Sequence, residues 1–310
     1  MTTPIDIVAI GECMIELSDL EAGTCRMGYG GDTCNSAVYL ARLGSRVAYM
    51  TAVGRDPFSD GMLDWWREEG VDASLALRSP DLLPGLYAIR TDEAGERSFF
   101  HWRDRSAARS LFGLPGIDEA LREARRAQVL LLSGVTLSLY NAEGRAVLVD
   151  LCRDARRRGA EVVFDPNYRP RGWADADEAR AAIGAVAPHV TLALPTFDDE
   201  VALHGDAEPE ATILRWHGNG AAEVAVKLGA RGCLVARAGE ASRSVAARED
   251  VEAVDTTGAG DAFNAGYLTA RRAGLAPTAA AMIANRLAGE VVRYPGAIIP
   301  PAAMPPWLPS

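Results

Sequence analysis

The chain has 310 residues, 48% of them hydrophobic and 24% charged, enough for one large α/β domain or two smaller ones. A net charge of −10 argues against nonspecific binding to nucleic acid or to an anionic membrane, but not against a locally basic pocket for a small anion. Five scattered cysteines (Cys13, Cys25, Cys34, Cys152, Cys233) without CxxC, and four histidines without HxxxH, argue against a disulfide framework, a zinc knuckle and a histidine metal site.

In chain order, residues 5–10 are a short apolar run stopped by Gly11, the pattern of a buried first strand. Ahead of them there is no basic region followed by an apolar core, and no apolar run approaches membrane-spanning length, so a cytoplasmic protein is expected. Glu12 and Glu16 follow the strand. The segment Met27-Gly28-Tyr29-Gly30-Gly31-Asp32-Thr33-Cys34-Asn35 opens a helix that stops at Gly44, with Asp32 or Thr33 as its cap. Its glycines let main chain approach a ligand, and Asp32 and Asn35 can hydrogen-bond hydroxyl groups. A capped helix after a tight turn explains the same residues.

Residues 47–53 read as a second strand, ending at Gly54-Arg55-Asp56-Pro57, and residues 60–69 as a helix stopped by Gly70. Two β-like runs, 86–91 and 97–103, flank the turn residues 92–96 and predict a hairpin. Together with residues 14–30 it predicts a small sheet beside the main body. From about residue 110 the pattern alternates. Strands are predicted at 129–134, 161–165, 190–194, 223–228 and 233–236, and helices at 141–158, 175–187, from 198 onward and at 277–292. Residues 300–306 are expected to be extended. This alternation predicts a mostly parallel sheet with helices on both faces, and ligands in such sheets bind at the carboxyl ends of strands.

The stretch Val254-Asp255-Thr256-Thr257-Gly258-Ala259-Gly260-Asp261-Ala262-Phe263 carries the chemistry. A glycine turn opening a helix presents unpaired N–H groups and the positive end of the helix dipole, which suits a phosphate. Asp261 is electrostatically awkward there unless it takes a proton from the hydroxyl that attacks the phosphate; the alternative is an acid that stabilises a helix N-terminus. No GxGxxG follows the first strand and no GxxxxGK[ST] is present, so phosphoryl transfer rests on this turn.

The stretch from Asp255 to Phe263 resembles the C-terminal signature of the ribokinase-like (PfkB) carbohydrate kinases. Gly30-Gly31-Asp32 leading to Asn35, and Gly54-Arg55-Asp56, resemble that family's N-terminal signature. The resemblance spans essentially the whole chain. It implies a single domain over residues 1–310, a three-layer α/β/α sandwich with a small discontinuous β lid from residues 12–31 and 84–105.

Within the family, Tyr29-Gly30-Gly31-Asp32-Thr33, Arg103 with Ser106-Ala107-Ala108, Asp165-Pro166-Asn167-Tyr168-Arg169 and Gly296-Ala297-Ile298-Ile299-Pro300 resemble the branch acting on 2-keto-3-deoxygluconate. The resemblance implies ATP- and Mg²⁺-dependent phosphorylation of that sugar acid to its 6-phosphate, with K⁺ as a further candidate cofactor. Gly31, Asp32 and Asn35 would contact its hydroxyls. Tyr87, His101 and Arg103 would reach in from the lid, His101 standing where the family usually has an aromatic residue. Arg103 and Arg169 would hold the carboxylate. Asp261 would be the base, in an anion hole formed by Gly258, Ala259, Gly260 and its own N–H. Asn167, Thr196, Lys227, Gly229, Gly232, Gly258 and Gly260 would form the nucleotide edge, with Asn285 beside the adenine. Glu200 would contact Mg²⁺ through water, although Phe197 replaces the asparagine of the family's NxxE pattern. Association of like chains through the lid is also expected.

The arginines carry a physical argument of their own. A planar guanidinium pairs bidentately with a carboxylate, and a neutral hexose offers no such partner. A kinase for fructose or ribose is the alternative substrate reading, and a noncatalytic sugar-acid sensor on the same fold is the alternative of another class.

Overall fold

The computed structural model describes residues 5–21, 23–91 and 97–306. In chain order its strands are β1 (Ile7–Ile10), β2 (Met14–Glu21), β3 (Thr24–Gly30), β4 (Val47–Val53), β5 (Ala76–Arg78), β6 (Leu86–Thr91), β7 (Arg97–Trp102), β8 (Val129–Ser133), β9 (Glu161–Asp165), β10 (Leu192–Ala193), β11 (Glu223–Lys227), β12 (Cys233–Arg237) and β13 (Arg243–Val245). The α-helices are α1 (Asp32–Arg42), α2 (Pro57–Glu68), α3 (Ile117–Ala124), α4 (Gly134–Ser138), α5 (Ala142–Arg157), α6 (Ala176–Val186), α7 (Phe197–His204), α8 (Pro209–Gly218), α9 (Ala259–Arg272) and α10 (Pro277–Val291).

Nine strands form one sheet in the order β13-β12-β11-β10-β9-β8-β1-β4-β5. Every pairing from β5 to β11 is parallel, and β12 and β13 add antiparallel. The expected parallel sheet is therefore present. Its central strands read as unbroken apolar runs because both faces are covered: all four residues of β1 and all seven of β4 are buried. Successive side chains of β1 enter opposite cores. Val8 and Ile10 join Leu148, Ile183 and Trp216 from α5, α6 and α8. Ile7 and Ala9 join Leu40, Trp66, Tyr267 and Leu287 from α1, α2, α9 and α10. The small residues of α9 serve close packing: a Cβ on Gly266 would stand 3.1 Å from the Cα of Ala284 in α10.

The second sheet has the order β3-β2-β6-β7, with β2 and β6 parallel and the outer pairs antiparallel. The hairpin strands pair as expected, Tyr87 opposite His101, while the turn expected at 92–96 lies outside the described residues.

Several boundaries differ from expectation for local reasons. The helix expected from residue 60 starts at Pro57, because the Asp56 carboxylate accepts from Phe58 N–H and Ser59 N–H at 3.0 Å and proline suits a first helical position. Neither Asp32 nor Thr33 caps α1; Gly31 occupies that position without a side-chain bond. Gly134 leaves the strand and begins α4, where a capping box between Ser133 and Thr136 turns the chain. The strand expected at 190–194 shortens to Leu192–Ala193. In the tail, Pro301–Ala303 form a 3₁₀ turn within the segment expected to be extended.

Candidate active site

Gly258 precedes α9 with φ +76°, and a Cβ there would fall 2.6 Å from the Ala297 carbonyl oxygen, so both conformation and space require glycine. The approach to this turn is held by Asp255. One of its oxygens accepts from Thr257 N–H at 3.0 Å and Thr257 Oγ1 at 2.8 Å, the other from Gly296 N–H at 2.5 Å. Ala259 N–H donates to Thr256 O at 3.3 Å. The N–H groups of Gly260 and Asp261 have no acceptor among the described residues, as expected for the first turn of a helix. Of the expected anion-hole groups, Ala259 N–H is thus the one already engaged within the turn.

Asp261 is joined to the start of α1. Its Oδ2 accepts from Asn35 Nδ2 at 2.8 Å, and its main-chain oxygen accepts from Ser36 Oγ at 3.1 Å. Its carboxyl is pushed up to about 8, first by burial and then by the Asp32 carboxylate, with the Asn35 amide opposing. Asp32, Asp165 and Asp261 line one small cavity of about 10 Å³. The Asp165 carboxylate in the same space adds to the upward shift set first by burial.

Asn35 and Asp32 lie three residues apart on α1 and face the same site. Asp32 Oδ2 accepts from Asn167 Nδ2 at 2.8 Å. Gly31 brings the main chain against the first strand's exit: a Cβ there would lie 2.1 Å from Glu12 O. Asn167, expected on the nucleotide edge, therefore has its amide on the Asp32 side. It holds φ +35°, and its N–H donates to Asp165 Oδ1 at 3.1 Å.

Lys227 is not at an open edge. It is buried, with Nζ donating to Asp165 Oδ2 at 2.6 Å and Asn264 Oδ1 at 3.0 Å, and Asn264 Nδ2 closes the triad on Asp165 at 2.6 Å. The triad lies beneath the turn: Lys227 Nζ is 3.7 Å from the position a Gly260 Cβ would take. Thr196 bridges to Lys227 and precedes α7. Gly229 and Gly232 have φ +60° and +92° in the turn between β11 and β12, and a Cβ on Gly232 would meet Val245 O at 2.1 Å. Asn285 is buried, donating to Val245 O at 3.0 Å and Ala246 O at 3.2 Å, so its amide ties α10 to the end of β13.

On the smaller sheet, buried Tyr87 donates to Glu16, and its ring stacks on His101 with centroids 5.8 Å apart. His101 is exposed, and partial burial followed by the Arg103 and Arg171 charges holds its imidazole below the usual histidine range. Arg103 is half-buried with Nη2 2.6 Å from Glu12 Oε2. Arg169 is exposed, donating to Tyr168 O at 2.8 Å and to both Asp199 oxygens at 2.9 and 3.0 Å.

Glu200 is turned away from this assembly. It is 1% exposed on the inner face of α7 and pairs with Arg215 of α8, which also donates to Asp206 at 2.5 Å. Burial pushes its carboxyl up to about 7 against the pull of Arg215. Asp199, one residue earlier, is the acid that faces Arg169 and feels the Asp165 and Lys227 charges. A helix turns about 100° per residue, so neighbouring acids point in different directions.

Four residues here were not singled out in the sequence as site candidates: Glu12, Asp165, Asp199 and Asn264. Asp165 had a signal, since it ends a strand at the carboxyl edge. Asn264 had one too, three residues after Asp261 and thus on the same helix face.

The family model described as pfkB family carbohydrate kinase matches residues 4–303. The 2-dehydro-3-deoxygluconokinase of Escherichia coli strain K12 is 44% identical over 307 residues, covering 96% of this chain and 98% of that protein. The enzyme of the same name from Dickeya dadantii strain 3937 is 43% identical, covering 98% and 100%. A crystal structure of fructokinase with bound ATP from Xylella fastidiosa superposes with a TM-score of 0.82 at 23% identity, covering 98% of this chain and 96% of that one, which is likeness of fold. The chain belongs to the pfkB family of carbohydrate kinases.

Proposed function

We propose that this chain is an ATP-dependent kinase that phosphorylates 2-dehydro-3-deoxygluconate to its 6-phosphate. The observation that carries the reading is the Asn35–Asp261 hydrogen bond of 2.8 Å, which sets the candidate base of the glycine turn against the candidate hydroxyl-binding start of α1. The identity of the 2-dehydro-3-deoxygluconokinases with this chain supports the substrate class.

The chemistry follows from these residues. Asp261 accepts the proton of the attacking hydroxyl as its oxygen bonds to the γ-phosphorus and the bond to the ADP oxygen breaks. The loose transition state of phosphoryl transfer asks little of this base, and a carboxyl near 8 is well matched to neutral solution. The N–H groups of Gly260 and Asp261 face the charge on the transferring group, with the Lys227 ammonium beneath them. Asp32, held by Asn167, and Asn35 receive the sugar hydroxyls. Arg103 and Arg169 take the carboxylate, each exchanging part of its present pairing with Glu12 or Asp199.

Mg²⁺ takes oxygen ligands and keeps several waters beside nucleotide phosphates, so one or two carboxylates suffice. Asp199 fits that donor set better than Glu200, which is sealed against Arg215. When bound, the ion would neutralise phosphate charge. The Asp255 carboxylate and the main-chain oxygens around it offer donors of the kind K⁺ takes.

We assign residues 12–31 and 84–105 as a lid on a single domain. Its exposed apolar side chains, Leu20, Met27, Phe100 and Trp102, suit association with the lid of a second copy. An ADP-release assay across 2-keto-3-deoxygluconate, its galactonate epimer, fructose and ribose tests the reading. Fastest turnover on either sugar acid is expected, and preference for a neutral sugar would overturn it.

A further inference from the structure

Glu12 stands outside the roles assigned above. It follows β1, where the chain leaves the large sheet for β2. Gly85 precedes β6, at the second departure, and Arg103 follows β7, at the return. These crossings meet. A Cβ on Gly85 would lie 2.8 Å from Glu12 Oε1 and 3.2 Å from Arg103 Cβ, so glycine leaves the room in which carboxylate and guanidinium face each other. The backbone is pinned on both sides: Ile15 N–H donates to Gly85 O at 2.8 Å and Ser106 N–H to Arg103 O at 3.2 Å.

The pair is close but incomplete. Arg103 Nη2 approaches Glu12 Oε2 to 2.6 Å, yet both Glu12 oxygens and Arg103 Nε and Nη2 are sealed from solvent without a geometrically sound hydrogen bond among the described residues. Ser106 Oγ and Tyr140 Oη are likewise buried without partners, and the Glu12 charge acts on the Tyr140 hydroxyl. A charge pair buried in this way is a poor device for stability. Orphaned buried polar groups call for another explanation. The asymmetry of the pair supplies one: the Glu12 side chain is 1% exposed, whereas that of Arg103 keeps 19%. One partner is sealed, and the other keeps an exposed side.

We propose that Glu12 is a positioning residue for sugar-acid recognition, fixing the Arg103 guanidinium at the crossing between the two sheets so that its open side meets the substrate carboxylate. The inference rests on the reading that Arg103 binds that carboxylate. A long arginine side chain loses rotamer freedom when fixed, and Glu12 takes that ordering out of the binding step. The effect belongs to the sugar acid and not to ATP.

Steady-state kinetics on the full-length protein tests this with Glu12→Gln, Glu12→Asp, Arg103→Met and the double variant Glu12→Gln/Arg103→Met. Glu12→Gln keeps the shape and removes the charge. It is expected to raise KM for 2-keto-3-deoxygluconate about tenfold or more and to change KM for ATP less than about twofold. In the Arg103→Met background the same change is expected to add less than about twofold, because neighbours acting as one unit are not additive. Glu12→Asp, which restores the charge one methylene short, is expected to recover part of the loss. It carries the same KM comparison if Glu12→Gln does not fold. An equal rise in both KM values, an equal effect in both Arg103 backgrounds, or no rise in either Glu12 variant would overturn the proposal. If Arg103→Met itself leaves KM for the sugar acid unchanged, the carboxylate reading fails first and the role of Glu12 falls with it.

Discussion

Lys227–Asp165 and Arg103–Glu12 are both buried cation–carboxylate pairs beside the site, at 2.6 Å each, yet they differ in how completely they are satisfied. Lys227 has two acceptors, Asp165 receives Lys227 and Asn264 on one oxygen and Asn167 on the other, and Asn264 closes the ring. On the other side the Glu12 oxygens and Arg103 Nε have no hydrogen-bonding partner among the described residues. A fully satisfied polar network rigidifies its surroundings, while an open one holds unused capacity in a low dielectric. The network beneath the glycine turn is therefore closed on itself, whereas the crossing to the smaller sheet keeps unpaired polar atoms among the described residues.

The largest effect tests the closed side. Asp261→Asn keeps the hydrogen bond geometry near Asn35 but removes the proton acceptor, so kcat is expected to fall about 10³-fold, within the usual range for a general base. Sugar-acid binding measured by calorimetry should change less than about threefold. Turnover within tenfold of the parent would remove the base assignment.

The next test separates the two pairs. Lys227→Met strands the Asp165 carboxylate in the interior and is expected to cost about 3–5 kcal/mol in urea unfolding. Arg103→Met likewise strands the Glu12 carboxylate, which is 1% exposed, so a stability cost is expected there too, and it should lower kcat/KM for the sugar acid about 10- to 100-fold. Fructose or ribose, lacking a carboxylate, should lose far less. The same loss on both substrate types would end the selectivity argument.

A smaller effect reads the electrostatics of the turn. With both substrates below saturation, kcat/KM reports the free enzyme. Asp261 must be deprotonated to act, and its carboxyl is pushed up to about 8 by burial and the Asp32 charge. Activity should therefore rise about tenfold per pH unit on the acid side and level off near 8. Asp32→Asn removes one raising charge and should move that limb to lower pH. A limb at the ordinary carboxylate value would contradict the crowding of Asp32, Asp165 and Asp261.

The sequence carried the large sheet well because its signals are local. β4 and β9 coincide with their expected spans, since bare apolar runs bounded by polar residues have few other solutions. The glycine turn was legible for the same reason: Gly258 and Asp261 sit next to each other in sequence and in space. Partner choice was not legible. Nothing near Lys227 announces Asp165, 62 residues away, and nothing near Arg103 announces Glu12 across the sheet crossing. Asn167 was placed with the nucleotide edge, but its amide is on Asp32, 135 positions earlier. Such contacts depend on which strands become neighbours, and that order follows from the packing of the whole sheet.

The smallest expected effect concerns the acids of α7, where a one-residue shift of register decides the direction of a carboxylate. Glu200 is sealed against Arg215, while Asp199 faces Arg169 and the Asp165–Lys227 network. Asp199→Asn should raise the Mg²⁺ concentration needed for half-maximal activity about threefold to tenfold, a loss typical of a contact made through water. Glu200→Gln should leave that concentration within about twofold and act on folding instead, because it weakens an inter-helix ion pair with no solvent to replace it. A titration of activity with Mg²⁺, run beside thermal unfolding of both variants, distinguishes the two acids. The reverse pattern, with Glu200→Gln shifting the Mg²⁺ curve and Asp199→Asn leaving it in place, would restore Glu200 to the metal side and require α7 to turn by about 100° on ligand binding.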